Sequence, residues 1–573
     1  MPGGPGSAGA TLLSAVADLR RVLDGAPLPL DIPGAEAARQ TRGRLLDQLD
    51  DYVLPRLSSM DAPVLAVVGG STGAGKSTLV NSLVGREVSS PGVLRPTTRS
   101  PVLIHHPDDA SWFTDQRILP GLARVTAAAD TASGVGSGIN SVRLVATDAV
   151  GRGLALLDAP DIDSVVSANR DLAAQLLAAA DLWIFVTTAA RYADAVPWDL
   201  LREAGERGTS VAIVLDRVPA DVVAEISTHL SEMLTEQGLG SAPIFAITES
   251  SLERGLLPSS QTDAPRRWLD DLAGDAQARA AVIRQTLRGA LESLDGRVAS
   301  IVTALEEQST AVLALTESAE ASYRDALSGV TSGMQDGTLL RGEVLARWQE
   351  FVGTGEFFRQ VESTVSRLRD RITSFFRGEP PPSERLGEAL QTGVAALIAN
   401  NAELAAGASV RLWRSLPGGS QLLAAHPTLL QASPDLDDRI ERLVRDWQGD
   451  IFAMVREEGK DRRVTARLLA YGVNGLGLTL ILVAFASTAG LAMLEVGIAG
   501  GTAVAGQKVL EAVFGDQAVR DLARKARERL FERVEDLYAS ELERYEDAVL
   551  DVGVDGEQSE ALASAADAVR TAR

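Results

Sequence analysis

The stretch Val64-Leu-Ala-Val-Val-Gly-Gly-Ser-Thr-Gly-Ala-Gly-Lys-Ser-Thr-Leu-Val-Asn81 decides how this chain folds. Its first residues, Val64–Val68, are an unbroken apolar run of strand length, and Pro63 precedes them. Gly70-Ser71-Thr72-Gly73-Ala74-Gly75-Lys76-Ser77 then matches the spacing G-x-x-x-x-G-K-[ST], and Thr78–Leu83 reads as the helix that follows. The glycines let successive backbone N–H groups turn inward around phosphate oxygens, and the helix N-terminus adds its dipole. Lys76 is placed to reach the β- and γ-phosphates, and the Ser77 hydroxyl to ligate magnesium. Thr78 opens the helix beside them. The chain has only four lysines, Lys76, Lys460, Lys508 and Lys525, so one of very few stands where the motif needs it.

Downstream, strand-like runs alternate with helical ones to about residue 250. After Val64–Val68 the strands are expected at Val102–His105, Val142–Val145, Leu154–Leu157, Leu182–Thr187, Ser210–Leu215 and Pro243–Ile247. That alternation predicts an α/β domain with a mainly parallel sheet. Three sites along it bear on nucleotide chemistry. Arg95-Pro96-Thr97-Thr98-Arg99-Ser100-Pro101 precedes the second strand, and Thr98, ahead of Thr97, is the expected hydroxyl completing the magnesium shell when a γ-phosphate is present. Asp158, at the tip of Leu154–Leu157 in Asp158-Ala159-Pro160-Asp161, is the expected acid holding magnesium through water. After Ser210–Leu215 comes Asp216-Arg217-Val218-Pro219-Ala220-Asp221, where a guanine-reading loop carries Asn/Thr-Lys-x-Asp. Pro219 stands in place of the base-reading carboxylate. Asp216 and Asp221 both remain candidates for it, and Thr248 follows the next strand.

Beyond about residue 265 the chain reads as helical. Leu287, Leu291, Leu294, Val298, Ile301, Leu305, Gln308, Val312 and Leu315 keep heptad spacing, predicting a stalk or bundle helix, with a dimeric coiled coil as the alternative. Pro380-Pro381-Pro382 marks a hinge, and Leu416–Pro434 a second connection. Leu468–Ala505 carries only Asn474 and Glu495 as strongly polar residues, while one crossing needs about 20 residues. Lys460, Arg462, Arg463 and Arg467 lie before it, and Lys508, Arg520, Arg524 and Lys525 after it. Basic flanks on both sides predict two crossings with both ends in the cytoplasm, packed through Gly497 and Gly501. A buried hairpin in a soluble bundle and a paddle that dips into one leaflet are the alternatives. The expected organisation is a tail at 1–10, neck helices at 11–58, a P-loop GTPase domain at 59–265, a helical stalk at 266–465, a membrane hairpin at 466–512 and a helix returning to the stalk at 513–573.

Composition narrows the function. The 573 residues are 45% hydrophobic but only 4% aromatic, so the cores must be aliphatic. A net charge of −22 argues against nucleic-acid binding. With no cysteine the chain has no disulfides, thiolate metal sites or thiol nucleophiles. The four histidines show no metal-ligand spacing.

On the P-loop with its flanks Ser71–Asn81, the Pro-Thr-Thr segment, the Asp-x-Pro strand tip and the apolar stretch among C-terminal helices, the chain resembles the bacterial dynamin-like GTPases. The resemblance implies GTP and GDP as ligands with magnesium, self-association through GTPase domains and stalk, and attachment to the cytoplasmic face of the cell membrane. It further implies membrane remodelling, with the division septum as one place and a second dynamin-like or division protein as one partner. Three positions depart from the family pattern. Asp161 stands where the family has the glycine whose amide senses the γ-phosphate, so the resemblance assigns that amide to Asp161. Pro219 interrupts the base-reading loop. Thr72-Gly73 replaces the polar P-loop pair that supports hydrolysis. These departures leave two rival expectations: a nucleotide-binding scaffold that hardly hydrolyses, and a soluble regulatory GTPase with a helical effector domain.

Overall fold

A computed structural model describes residues 5–89, 100–115, 117–119, 121–126, 141–163, 167–335, 382–458 and 516–573. Thr97 and Thr98, most of the Pro380–Pro382 hinge and the whole Leu468–Ala505 stretch lie outside the described residues. The described chain forms two units. The first joins residues 1–28, 34–306 and 555–573, and the second residues 29–33 and 307–554.

At the centre of the first unit is an eight-stranded sheet: β1 (Val64–Gly70), β2 (Val102–His105), β3 (Ala123–Thr126), β4 (Ser141–Ala146), β5 (Leu154–Asp158), β6 (Leu182–Thr188), β7 (Ser210–Val218) and β8 (Ile244–Thr248). Their order is β3-β4-β2-β5-β1-β6-β7-β8, and every pair is parallel except β2 with β5. The unbroken apolar runs follow from burial on both faces. Along β1, Val64, Ala66 and Val68 enter one core and Leu65 and Val67 the other. All seven strands expected from sequence are present. The eighth, β3, is a short edge strand, Ala-Arg-Val-Thr, that lacks an apolar run.

Helices α1 (Pro5–Asp24), α2 (Ala35–Gln48) and α3 (Leu54–Ser58) precede the sheet, and α1 begins inside the stretch expected as a tail. Within or beside the sheet run α4 (Lys76–Val84), α5 (Ala110–Thr114), α6 (Ser167–Ala178), α7 (Ala195–Glu206), α8 (Val223–Glu236) and α9 (Ser259–Gly274). Helix α10 follows over Ala276–Gln335. Its heptad residues Leu287 to Leu305 pack within the first unit against Val16, Leu19 and Leu23 of α1 and Leu45 of α2, as an internal helical core. Thr286 fastens it to the sheet by donating to the Asp181 carbonyl at 2.8 Å and accepting from the Ser210 amide at 3.1 Å. Among the described residues one helix, Ala276–Met334, is long and apolar enough to cross a membrane by length and composition, and its apolar seam is part of this core.

The second unit holds α11 (Pro382–Ser415), α12 (Gly419–Ala425), α13 (Leu436–Glu458) and α14 (Asp516–Leu550). Trp413 is fully buried, donates its indole N–H to the Leu315 carbonyl at 3.0 Å and meets Tyr545 edge-on. The stretch expected as one returning helix is divided. α14 lies in the second unit, whereas α15 (Glu557–Ala572) lies in the first, where Leu562, Ala566 and Val569 join the core around α1.

Gln308 is the one polar member of the heptad seam, and the structure explains it. Its amide accepts from the Leu30 N–H at 2.9 Å and donates to the Leu30 carbonyl at 2.8 Å, with no exposure of its own. Gln308→Ala would leave both backbone groups buried without partners. We expect it to destabilise the chain by about 2 kcal/mol, since an orphaned buried polar group costs roughly 1–3 kcal/mol. Gln308→Glu should cost more. Equal urea midpoints for parent and alanine variant would refute this reading.

Candidate functional site

The loop between β1 and α4 is shaped by glycine. Gly70 has φ 152°, and a Cβ there would lie 2.1 Å from the Val186 carbonyl of β6. Gly75, at φ 91°, caps α4, and a Cβ there would lie 2.4 Å from the Asp216 carboxylate. No other residue fits either place. The Ser71 hydroxyl is buried in the loop with no hydrogen-bond partner among the described residues. Thr78 sits in the first turn of α4, its carbonyl accepting from Ser82 at 2.6 Å.

Lys76 curls back over the loop. Its ammonium donates to the Gly70 carbonyl at 2.8 Å, the Ser71 carbonyl at 3.0 Å and the Asp161 carboxylate at 2.5 Å. Asp158, at the tip of β5 beside β1, accepts from the Ser77 hydroxyl at 2.7 Å. The Ser89 hydroxyl bonds the same carboxylate oxygen at 2.5 Å. Ser89 is fixed in turn by Asn81, whose amide binds the Val88 and Ser89 N–H groups and the Ser89 carbonyl. The expected pair of oxygen donors, Ser77 and Asp158, is therefore together. Thr98, the third, lies outside the described residues.

Two residues that motif reading passed over complete the loop. Asp163 accepts from both the Thr72 amide and the Thr72 hydroxyl at 2.6 Å. Arg191, past the end of β6, donates to Asp163 at 2.9 Å, to the Thr72 carbonyl at 3.0 Å and to Asp194 at 2.9 Å. Burial alone would raise the Asp163 carboxyl, but the Thr72 hydrogen bonds and the Arg191 guanidinium outweigh it and hold the group below the usual carboxylate range. Neither residue belongs to a spacing motif. The available signal was a second acid two residues after Asp161, and an arginine close to the end of an apolar strand.

On the β7 side, Asp216 is buried, its carboxylate taking the Arg217 amide at 2.9 Å and facing Gly75. Burial pushes its carboxyl up, partly offset by the Arg217 amide and charge. Arg217, in the left-handed region at φ 54°, donates to the Gly73 carbonyl at 3.0 Å. Arg217 therefore holds the loop directly, and the Asp216 carboxylate stands against it at Gly75. Asp221 is exposed ahead of α8. Thr248 ends β8 next to Val218, its amide held by Gln261 at 3.1 Å. Among the described residues no cluster of His, Cys, Asp and Glu forms a metal site by itself.

Residues 65–218, which span the loop, both acids of the strand tip and the Asp216 turn, match the model of the Dynamin family. No curated protein sequence matches the chain. Similar solved structures include two chains from an oligomerised bacterial dynamin pair described as sensing and tethering membranes at long range. Each is 10% identical with a TM-score of 0.41 and covers 93% of this chain, and 95% and 94% of its own is matched. A third is LeoA, a bacterial dynamin GTPase from ETEC, 12% identical with a TM-score of 0.23, covering 98% of this chain and 96% of that one. Taken with the loop and sheet that carry it, the match makes residues 65–218 of this chain similar to the nucleotide-binding region of the Dynamin family.

Proposed function

We propose that the chain is a membrane-associated dynamin-like GTPase that binds GTP and GDP with magnesium and couples hydrolysis to self-association and membrane remodelling. The observation that carries the nucleotide reading is the glycine-shaped loop with Lys76 folded over it and Ser77 and Asp158 in contact beside it. In this reading residues 70–78 cradle the phosphates, the buried Ser71 hydroxyl gains a phosphate partner, and Lys76 supplies charge to the β- and γ-phosphates. Ser77 and Asp158 offer hard oxygen donors suited to magnesium. When bound, the ion neutralises charge developing on the phosphate oxygens. Asp216 and Arg217 brace the loop on the side where the base would lie.

The membrane attachment rests on the sequence of Leu468–Ala505 and its basic flanks, outside the described residues. Action at the division septum, with a second dynamin-like or division protein as partner, rests on the resemblance alone. The scaffold reading is favoured by one observation: the Lys76 ammonium is engaged by Asp161. An affinity panel with GTP, GDP and ATP, followed by turnover with and without liposomes, tests the proposal. Tight guanine binding with liposome-stimulated turnover supports it. Binding without turnover would favour the scaffold, and no binding would defeat both.

Asp158→Asn separates binding from turnover. The side chain keeps its size but loses charge beside Ser77. Groups that orient or support a metal ligand typically cost roughly 10–100-fold in activity when changed. We expect turnover to fall by that factor while GDP affinity changes far less. Parental turnover in the variant would place the role on another acid.

A further inference from the structure

We propose that Asp161 and Asp163 bias this site toward nucleoside diphosphate over triphosphate, by standing on the P-loop donors that a terminal phosphate needs. The inference rests on the P-loop reading above and goes beyond it, since it concerns which phosphate chain the loop prefers.

Two kinds of donor serve phosphates in such a loop: the lysine ammonium and the backbone N–H groups. Here one of each is held by a carboxylate from a single short segment. Asp161 takes the Lys76 ammonium at 2.5 Å. Asp163 takes the Thr72 amide and hydroxyl, each at 2.6 Å. Carboxylate and phosphate oxygens are both anionic acceptors and cannot share such donors without repulsion. The segment begins three residues after Asp158, so it continues directly from the proposed magnesium side of the site.

The two acids are not held alike. Asp161 is 38% exposed, and among the described residues Lys76 is its one charged partner, so it can swing into water at little structural cost. Asp163 is 16% exposed and is tied through Arg191 to the Thr72 carbonyl and to Asp194. A diphosphate uses the amides around Gly73–Ser77 and engages Lys76 through its β-phosphate alone, so it competes with Asp161 less than a triphosphate does. A triphosphate adds a further anionic group at the Lys76 end and must displace at least Asp161. Breaking a hydrogen bond to a charged group is worth about tenfold or more in affinity. In chains with glycine at position 161 this competitor is missing. Position 161 is then a selectivity determinant created by one substitution in the strand-tip motif.

The test uses the full chain with magnesium, GDP and a non-hydrolysable GTP analogue, read by calorimetry. The double variant Asp161→Asn/Asp163→Asn removes both charges at constant size. We expect the ratio of triphosphate to diphosphate dissociation constants to fall about tenfold or more, chiefly because the triphosphate tightens. Asp161→Gly alone should move the ratio in the same direction, and it carries the test if the double variant does not fold. A ratio unchanged in a folded variant, with both nucleotides still bound by the parent, overturns the inference and leaves the P-loop reading standing. If the parent binds neither nucleotide, both fall. If Lys76→Ala also abolishes binding, the measured affinity belongs to this loop.

Discussion

Lys76→Ala is expected to weaken triphosphate binding by roughly two to four orders of magnitude. Hydrogen bonds to charged groups are worth roughly 1.5–3 kcal/mol each, and the ammonium would serve two phosphates. The fold should survive. The ammonium spans the Gly70 and Ser71 carbonyls, but its one charged partner among the described residues, Asp161, is 38% exposed and can be rehydrated once the lysine is gone. The side chain itself is buried, so a small loss of melting temperature is expected. Calorimetry with GTP, beside a thermal melt, decides. Unchanged affinity would remove the P-loop from the site, and loss of the folded state would mean that the lysine holds the loop itself together.

The largest effect on stability is expected from Arg56→Ala. Arg56 lies in α3 with a side chain only 7% exposed, and donates to the Ala62 and Pro63 carbonyls at 3.1 Å each. It also pairs with Asp181, which is wholly buried and accepts the Leu65 amide of β1 at 2.8 Å. Removing the guanidinium strands a buried carboxylate, a change that costs about 3–5 kcal/mol. The pH dependence follows from the sign of the Asp181 shift. Burial raises this carboxyl above its ordinary 3.8, and Arg56 only partly offsets it. A raised carboxyl favours the folded state below its unfolded pKa and disfavours it as pH rises through the folded value. Without Arg56 the group rises further, so the deficit should be small in acid and widen toward neutrality. Adding Asp181→Asn should recover much of the loss. A variant as stable as the parent at neutral pH would show that Asp181 is already neutral there.

The strands were legible because a sheet covered on both faces writes itself as unbroken apolar runs, as in residues 182–186 and 211–215. β3 was not, because Ala-Arg-Val-Thr at an edge carries no such run, and Arg124 turns its guanidinium into nearby loop carbonyls. The heptad of α10 was legible as a buried seam, but only the fold shows which helices fill it and why Gln308 belongs there. In the candidate site, the loop spacing of Lys76 and Ser77 and the strand-tip position of Asp158 were legible, and the structure brings Ser77 and Asp158 into contact. Asp163 and Arg191 were not, because their roles depend on a meeting across ninety-one residues with Thr72 and twenty-eight with each other. Asp216, one of the two candidates for the base-reading carboxylate, has its carboxylate against Gly75 of the loop.

The pairing of α1 with α15 has a consequence for the order in which this protein can be made. Val16 and Leu19 share a core with Leu562 and Val569, helices from opposite ends of the sequence. A ribosome adding about 5–20 residues per second releases the second partner roughly half a minute to two minutes after the first. Through that interval the apolar face of α1 is sheltered by α2, by residues 49–58 and by α10 but lacks α15, and the segment that forms the second unit is translated in between. The nucleotide-binding unit is thus finished late in translation, and nascent chains halted inside the second unit should be marked by an unsatisfied seam that chaperones and proteases can read.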